Sequence, residues 1–413
     1  MSKGCVHAKS EDDIDVFYKK TISYCYHNHN LNFHVSQTLF SSQDVDIGTR
    51  RLLSNLTSED YTYSKVLDLG CGYGVIGISL KSVNPEGTVH MVDRDSLALD
   101  YTRKNLELNH FEASVYASLG YDRVSDADFD LIVSNIPAKI GKPVLSYLLT
   151  AARLHLKPNG RVAIVVIDAI ADYITGVISD LGVNILIQKK YPGHMVFVYE
   201  FSEGSSTKRP IHESFEKYIY NREEKLFTVD HHSLSILTAY GLPEFDTLSY
   251  ETQMVIESLK ITKCKQENKA VVFNPTQGIL PVVLTQFVTV KEIALVDRDL
   301  LALEVSKRNL ILNGFEKDRI SLHHQADLKI INTGNINCII GVFDEKDGQA
   351  VHARLFNQAA QQLSPEGVIV VASGSTPITR IEAIAHADKS LEILGRKKAK
   401  GKSVIVLRKK SRF

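Results

Sequence analysis

The sequence Val66-Leu67-Asp68-Leu69-Gly70-Cys71-Gly72-Tyr73-Gly74 puts an acid near the end of a short apolar run, followed by three glycines at alternate positions. Glycine accepts positive φ and lets a ligand approach the backbone. A helix opening after such a turn offers unpaired N–H groups to a negative group. A second acid, Asp93, ends the next apolar run 19 residues on (93 − 74), where it can accept both hydroxyls of a ribose. Gly72-Tyr73-Gly74-Val75-Ile76-Gly77 also spells G-x-G-x-x-G, a weak signal for a nicotinamide dinucleotide when it stands alone. Asp68 separates the two readings. A carboxylate just ahead of the turn repels a pyrophosphate and suits a ligand that carries an ammonium and a sulfonium. The remaining reading is an empty glycine turn in an inactive domain.

These residues need strand ends and helix starts to position them. Lys65–Leu69 reads as a buried strand, and Gly74–Lys81 opens a helix. Thr88–Val92 reads as a second strand, and Ser96–Asn109 as a helix with Asp95 as N-cap. Leu131–Ser134 and Val162–Ile167 are further buried strands. Strands alternating with helices predict a doubly wound, mostly parallel α/β sheet. Such sheets bind ligands beyond the carboxyl ends of their strands, where Asp68–Gly74, Asp93 and Asn135 fall.

The chain repeats itself at the scale of a domain. Val92-Asp93-Arg94-Asp95 returns as Val296-Asp297-Arg298-Asp299, a shift of 204 (297 − 93). Asn105-Leu106, Asn109 and Phe111 return as Asn309-Leu310, Asn313 and Phe315. Leu156-Lys157-Pro158-Asn159-Gly160 returns as Leu363-Ser364-Pro365-Glu366-Gly367. This implies a tandem duplication: a catalytic domain over 1–203, a linker over 204–210 and a second copy over 211–413. In the second copy the glycine loop has become Val272-Phe273-Asn274-Pro275-Thr276-Gln277-Gly278, and the segment around Asn135 has become Gly341-Val342-Phe343-Asp344. That half is expected to keep the fold without binding cofactor. The retained Asp297 and Asp299 read as helix capping before Leu301.

The run D-L-G-C-G-Y-G, then V-D-R-D, then Ser134-Asn135-Ile136-Pro137, resembles the small-domain class I S-adenosylmethionine-dependent methyltransferases. It is most similar to the tandem-domain ribosomal RNA guanine-N2 methyltransferases of bacteria. The resemblance covers most of residues 30–200. It includes Phe40-Ser41-Ser42-Gln43-Asp44-Val45-Asp46-Ile47-Gly48-Thr49, similar to the family's F-S…D-x-G-T segment over the cofactor. It implies two tandem Rossmann-like domains and S-adenosyl-L-methionine as cofactor. It places Asp68, Gly70, Gly72 and Gly74 at the methionine end, Asp93 with Arg94 at the ribose, and Ser118 and Leu119 at the adenine. Asp46, Gly48 and Thr49 would close over the cofactor, or else cap the helix that begins at Arg50.

Asn135-Ile136-Pro137 stands where the family has N-P-P followed by an aromatic. An exocyclic amine on a base is a poor nucleophile, because its lone pair is delocalised. The Asn135 carboxamide oxygen and the Ile136 carbonyl could each accept one of its N–H bonds, aiming the nitrogen and favouring its developing charge. Pro137 would stiffen the turn. Ala138 replaces the aromatic and removes a stacking surface worth about 1–3 kcal/mol per base. Either another aromatic supplies it, with Tyr121 and Tyr147 as candidates, or the acceptor is not a nucleobase. The expected activity is N-methylation of RNA, with guanine N2 of ribosomal RNA first. The alternatives are a small-molecule or protein acceptor, or a non-catalytic cofactor-binding module. In the resembling enzymes the active copy is C-terminal; here it is N-terminal.

Bulk composition narrows the classes. Lys+Arg and Asp+Glu both number 48, so a nucleic-acid contact must rest on a local patch. Arg396, Lys397, Lys398, Lys400, Lys402, Arg408, Lys409, Lys410 and Arg412 form one candidate, read as a solvated edge or as a phosphate contact. The five scattered cysteines argue against a disulfide framework and against zinc. His27, His29 and His34 lack the companions of a metal site. No apolar run reaches membrane-spanning length, and Glu11-Asp12-Asp13 interrupts any secretory leader. The expected place is the cytoplasm, with RNA as partner and neither metal nor membrane.

Overall fold

The structure is a computed structural model and describes residues 15–56, 63–201, 219–229, 231–259, 268–329 and 336–411. The expected linker at 204–210 lies outside the described residues. In the first half, β1 (Tyr18–Tyr26) and β2 (His29–Ser36) form a hairpin ahead of α1 (Ile47–Leu56). There follow β3 (Lys65–Leu69), α2 (Val75–Val83), β4 (Thr88–Asp93), α3 (Ser96–Leu108), β5 (Ser114–Ala117), β6 (Phe129–Asn135), α4 (Lys142–Thr150), β7 (Leu156–Ile167), α5 (Asp168–Asp180), β8 (Asn184–Tyr191) and β9 (His194–Glu200). The seven strands β3–β9 form one sheet in the order β5-β4-β3-β6-β7-β9-β8, parallel except for β9. The strands are apolar runs covered on both faces: Val66 and Leu67, adjacent in β3, enter opposite cores. Leu156–Gly160, the segment that returns as Leu363–Gly367, is the irregular start of β7, with Asn159 at φ 62°.

The second half repeats this plan. A hairpin of β10 (Asn221–Val229) and β11 (His232–Ala239) precedes α6 (Tyr250–Leu259). Then come β12 (Asn268–Phe273), α7 (Ile279–Phe287), β13 (Val290–Asp297), α8 (Leu300–Leu312), β14 (Ile320–His324), β15 (Ile336–Val342), α9 (Gln349–Gln362), β16 (Leu363–Gly374), α10 (Ser375–Ala387), β17 (Leu391–Ala399) and β18 (Lys402–Lys409). Its sheet order, β14-β13-β12-β15-β16-β18-β17, matches the first strand for strand. No helix among the described residues is long and apolar enough to cross a membrane.

The repeated asparagines hold each hairpin to its helix. Asn105 of α3 accepts from His34 N at 2.7 Å and donates to His34 O at 3.0 Å and Tyr73 O at 2.8 Å. Asn309 of α8 does the same with Leu237 N and O (both 2.9 Å) and with Gln277 O at 2.7 Å. Asn109 and Asn313 pair with Asn32 and Ser235 in the same way. A carboxamide has one donor face and one acceptor face, so it can complete an edge strand's backbone.

The two V-D-R-D segments meet each other. Ser96 N donates to Arg298 O at 2.8 Å, and Leu300 N donates to Arg94 O at 2.9 Å. Arg94 pairs with Asp299 at 2.9 Å, and Arg298 Nε donates to Asp95 at 2.9 Å. Both acids also cap a helix, Asp95 accepting from Leu97 N and Asp299 from Leu301 N, each at 3.0 Å. The sequence accounts for the capping; the exchange across the interface appears only in the fold. Removing one partner of a largely buried ion pair strands the other charge. Arg298→Ala is expected to lower unfolding stability by about 2–4 kcal/mol in urea titrations. Arg103→Ala, which removes an exposed i,i+3 pair with Asp100, should change it by about 0.5 kcal/mol or less.

Candidate active site

A cavity of about 570 Å³ opens at the carboxyl ends of β3, β4 and β6. Its floor is the loop after β3, where Gly70, Gly72 and Gly74 adopt φ of 78°, 58° and 96°. Gly70 N and Cys71 N both donate to Val92 O, at 2.8 and 2.9 Å, which pins the loop to β4. A Cβ on Gly70 or Gly72 would meet no atom within 4 Å, so both glycines face open space. Gly74 and Gly77 serve packing instead: a Cβ on Gly77 would lie 2.7 Å from Met91 Cε. Tyr73 turns its hydroxyl to Ser41 O at 3.3 Å and holds the Phe40 loop over the site.

Asp68 lies directly behind the loop, fully buried. Its Oδ2 accepts from Gly77 N at 2.8 Å, while Oδ1 is buried without a hydrogen-bond partner. Burial, with a smaller contribution from the nearby Asp93 charge, pushes its pKa up to about 7. The carboxyl does not line the cavity: it stands behind the loop's backbone, where its charge would act on a cationic ligand group through the glycines. Asp93 ends β4 at the cavity wall, accepting from Gly72 N at 2.9 Å and Asp95 N at 3.0 Å. Burial raises its pKa as well.

Asn135 ends β6 in the same wall. Its Nδ2 donates to Asp46 Oδ2 at 2.9 Å and to Thr49 Oγ1 at 3.0 Å. A carboxylate only accepts, so Asp46 fixes which way the amide points and leaves Oδ1 able to accept. Asp46 also accepts from Thr49 N at 2.9 Å, so it caps α1 and orients Asn135 together. Gly48 makes this closeness feasible, since a Cβ there would meet Asp46 Oδ2 and the His194 ring at 2.9 Å. Ile136 is buried beside Asn135, its N–H donating to Val165 O at 3.0 Å. Pro137 and Ala138 complete that side.

The other expected residues divide. Ser118 lines the cavity, its hydroxyl donating to Gly120 O at 2.7 Å and accepting from Arg123 N at 3.0 Å. Leu119 instead packs into the core. Arg94 borders the cavity, but its guanidinium points across the interface to Asp299 and to Gly241 O at 2.7 Å. Tyr121 is buried, donates to Leu148 O at 2.9 Å and stacks on His155, so it offers no platform. Tyr147 stands edge-on to Tyr121. The sequence reading passed over two aromatics: Phe40, 73% exposed at the cavity rim, and Tyr220, which reaches the cavity from the second half. Phe40 had a signal, as the aromatic of the F-S segment; Tyr220 had none. Among the described residues no cluster of His, Cys, Asp and Glu is placed to hold a metal.

In the second half the loop keeps its backbone with different side chains. Asn274, Thr276 and Gly278 have φ of 47°, 50° and 80°, close to the three glycines. Asn274 Nδ2 donates to Val342 O at 2.8 Å and Thr276 Oγ1 to Glu244 at 2.8 Å, so side chains occupy the cradle. A cavity of about 480 Å³ remains there, with Asp297 in its wall. At the basic C-terminal edge, Arg396, Lys397 and Lys402 pair with Glu382, Glu257 and Glu251.

The family model described as "Methyltransferase small domain" matches residues 30–176 and, separately, 234–398. This chain belongs to that family. The two matches begin 204 residues apart (234 − 30), the same shift that relates the two V-D-R-D segments. A Haemophilus influenzae protein named "Ribosomal RNA small subunit methyltransferase C" is 39% identical over 142 residues, covering 33% of this chain and 42% of that protein. The chain therefore spans less than half the length of that relative. Bacillus subtilis YbxB is 33% identical over 150 residues, 36% of this chain and 74% of that protein. The whole fold is similar to a T. thermophilus 16S rRNA N2 methyltransferase solved with AdoMet and guanosine. The TM-score is 0.66 at 15% identity, covering 95% of this chain and 98% of that one. The tandem, mostly parallel α/β architecture of this small-domain family member follows.

The Asp68 carboxyl sets a pH dependence. Its folded pKa of about 7 exceeds the ordinary 3.8, so the folded chain holds a proton that the unfolded chain releases between those values. Stability of the ligand-free protein therefore falls as pH rises from about 4 to about 7. In thermal melts across that window, Asp68→Asn should lose about 2–4 kcal/mol less than the native chain.

Proposed function

We propose that the chain transfers a methyl group from S-adenosyl-L-methionine to an exocyclic amine of RNA, with guanine N2 of ribosomal RNA as first acceptor. The observation that carries this reading is Asn135: Asp46 and Thr49 engage its amide nitrogen, leaving the oxygen to accept an N–H at the cavity. The names of the H. influenzae relative and of the T. thermophilus neighbour support the acceptor class. Ribosomal RNA as acceptor would put the work in the cytoplasm.

When bound, the cofactor supplies an electrophilic methyl on a positively charged sulfur, so no strong base is needed. The residues have to place and align. Asp68 supplies negative charge behind the glycine loop, Gly70 and Gly72 admit the ligand against the backbone, and Asp93 holds the ribose. Asn135 Oδ1 and the Ile136 carbonyl would accept the amine's two N–H bonds, aiming its lone pair and stabilising charge as the N–C bond forms and the methyl–sulfur bond breaks; the nitrogen, then an ammonium, releases one proton to solvent. Pro137 stiffens the turn. Sequence-specific RNA readers splay a base out and stack it on an aromatic. Phe40, on the rim with Ala138, is the surface for that stacking.

Radiolabelled methyl transfer into total RNA, compared with protein and metabolite extracts, tests the reading. Label is expected in RNA. Label only in protein or small molecules overturns the acceptor, and cofactor binding without transfer to any extract points to a binding module. Asn135→Ala should lower turnover about 100-fold or more while the cofactor binds within a few-fold of native. Phe40→Ala should raise the KM for RNA about 5- to 100-fold and leave cofactor binding unchanged.

A further inference from the structure

Among the described residues, the cavity wall contains one from the other half of the chain. Tyr220 precedes β10 and is 4% exposed, beside Ser118 and Gly120. Its hydroxyl oxygen lies 3.6 Å from where a Gly120 Cβ would stand. No hydrogen-bond partner for that hydroxyl is present among the described residues. The ring is buried while the side chain lines the cavity, so the hydroxyl is placed to pair with a group bound there.

Tyr220 is held firmly. Its carbonyl accepts from Tyr240 N at 2.7 Å, which continues the β10–β11 hairpin. Asn309 and Asn313 fix that hairpin to α8, and the first turn of α8 bonds to Arg94 O. Arg94 follows Asp93 directly, so the wall and the ribose acid share one anchored frame. The pseudo-symmetric contact supplies a control. Phe17, just before β1, reaches the second half's cavity as Tyr220 reaches the first. Packing alone suffices there; a hydroxyl appears only where the glycine cradle is open.

We infer that Tyr220 is a ligand for the purine of the cofactor, its hydroxyl donating to a ring nitrogen, so that the degenerate half completes the site of the other. This rests on the cofactor reading above. Calorimetry on the full chain tests it with S-adenosylhomocysteine, adenosine and methionine as probes. Tyr220→Phe should weaken S-adenosylhomocysteine and adenosine by the same factor, roughly 3- to 10-fold, the range of one neutral hydrogen bond. Methionine binding should not move. In turnover, the KM for cofactor should rise with kcat unchanged, and the thermal midpoint should stay within about a degree of native. Native affinity for S-adenosylhomocysteine in Tyr220→Phe overturns the inference, as does a loss that spares adenosine. If the native chain binds neither adenosine nor S-adenosylhomocysteine, the cofactor reading itself fails, a result distinct from both.

Discussion

The arrangement of the two halves depends on the exchange of arginines between the V-D-R-D turns. Arg94 reaches Asp299 and Arg298 reaches Asp95, each acid also capping the helix behind it. His324 adds Nε2 between the Arg94 and Arg298 carbonyls, 2.8 Å from each. These groups are largely withdrawn from water, so none can be removed without stranding its partner. Asp93 sits one residue before Arg94, at the cavity. The segment that would hold a ribose in one half is therefore the segment that holds the halves together. This explains why the second copy keeps Val296-Asp297-Arg298-Asp299 after losing the acid and glycines of its loop.

The two loops share a backbone and differ in side chains. Gly70 N donates to Val92 O at 2.8 Å, and Asn274 N donates to Val296 O at 2.9 Å. These are main-chain bonds and tolerate side-chain change. Left-handed backbone suits glycine and is tolerated by asparagine, but it strains a β-branched threonine. Thr276 holds it with a hydrogen bond to Glu244. The chemistry has no such tolerance. Val272 stands in place of Asp68 and Val342 in place of Asn135, so neither the buried charge nor the oriented amide survives.

Strand ends deliver the acids and the amide, but the closing elements are shared. Asp46 performs two tasks with one carboxylate, capping α1 and turning Asn135. Tyr73, inside the glycine loop, ties that loop to the segment bearing Phe40. A change in the cover is therefore felt at the amide, and a change in the loop is felt at the cover.

The sequence by itself determined the parallel α/β plan, the duplication and the loop. Runs such as Lys65–Leu69 and Thr88–Val92 are apolar because both faces are buried, and their ends carry acids and glycines in local order. Asp68, Asp93 and Asn135 were legible for that reason: strand ends of one sheet converge whatever lies between them. The edge arrangement of β8 and β9, the two hairpins and the strand character of Leu156–Gly160 were not, since short irregular strands lack a clear period. Only the tertiary structure decided the rest. It buried Tyr121, exposed Phe40, turned Arg94 toward the second half and brought Tyr220 to the cavity. The first two depend on packing inside one domain, as Tyr121 against Leu148 and His155; the last two depend on the pseudo-twofold packing of two domains, as Arg94 against Gly241 and Asp299. No local pattern of residue types encodes that packing.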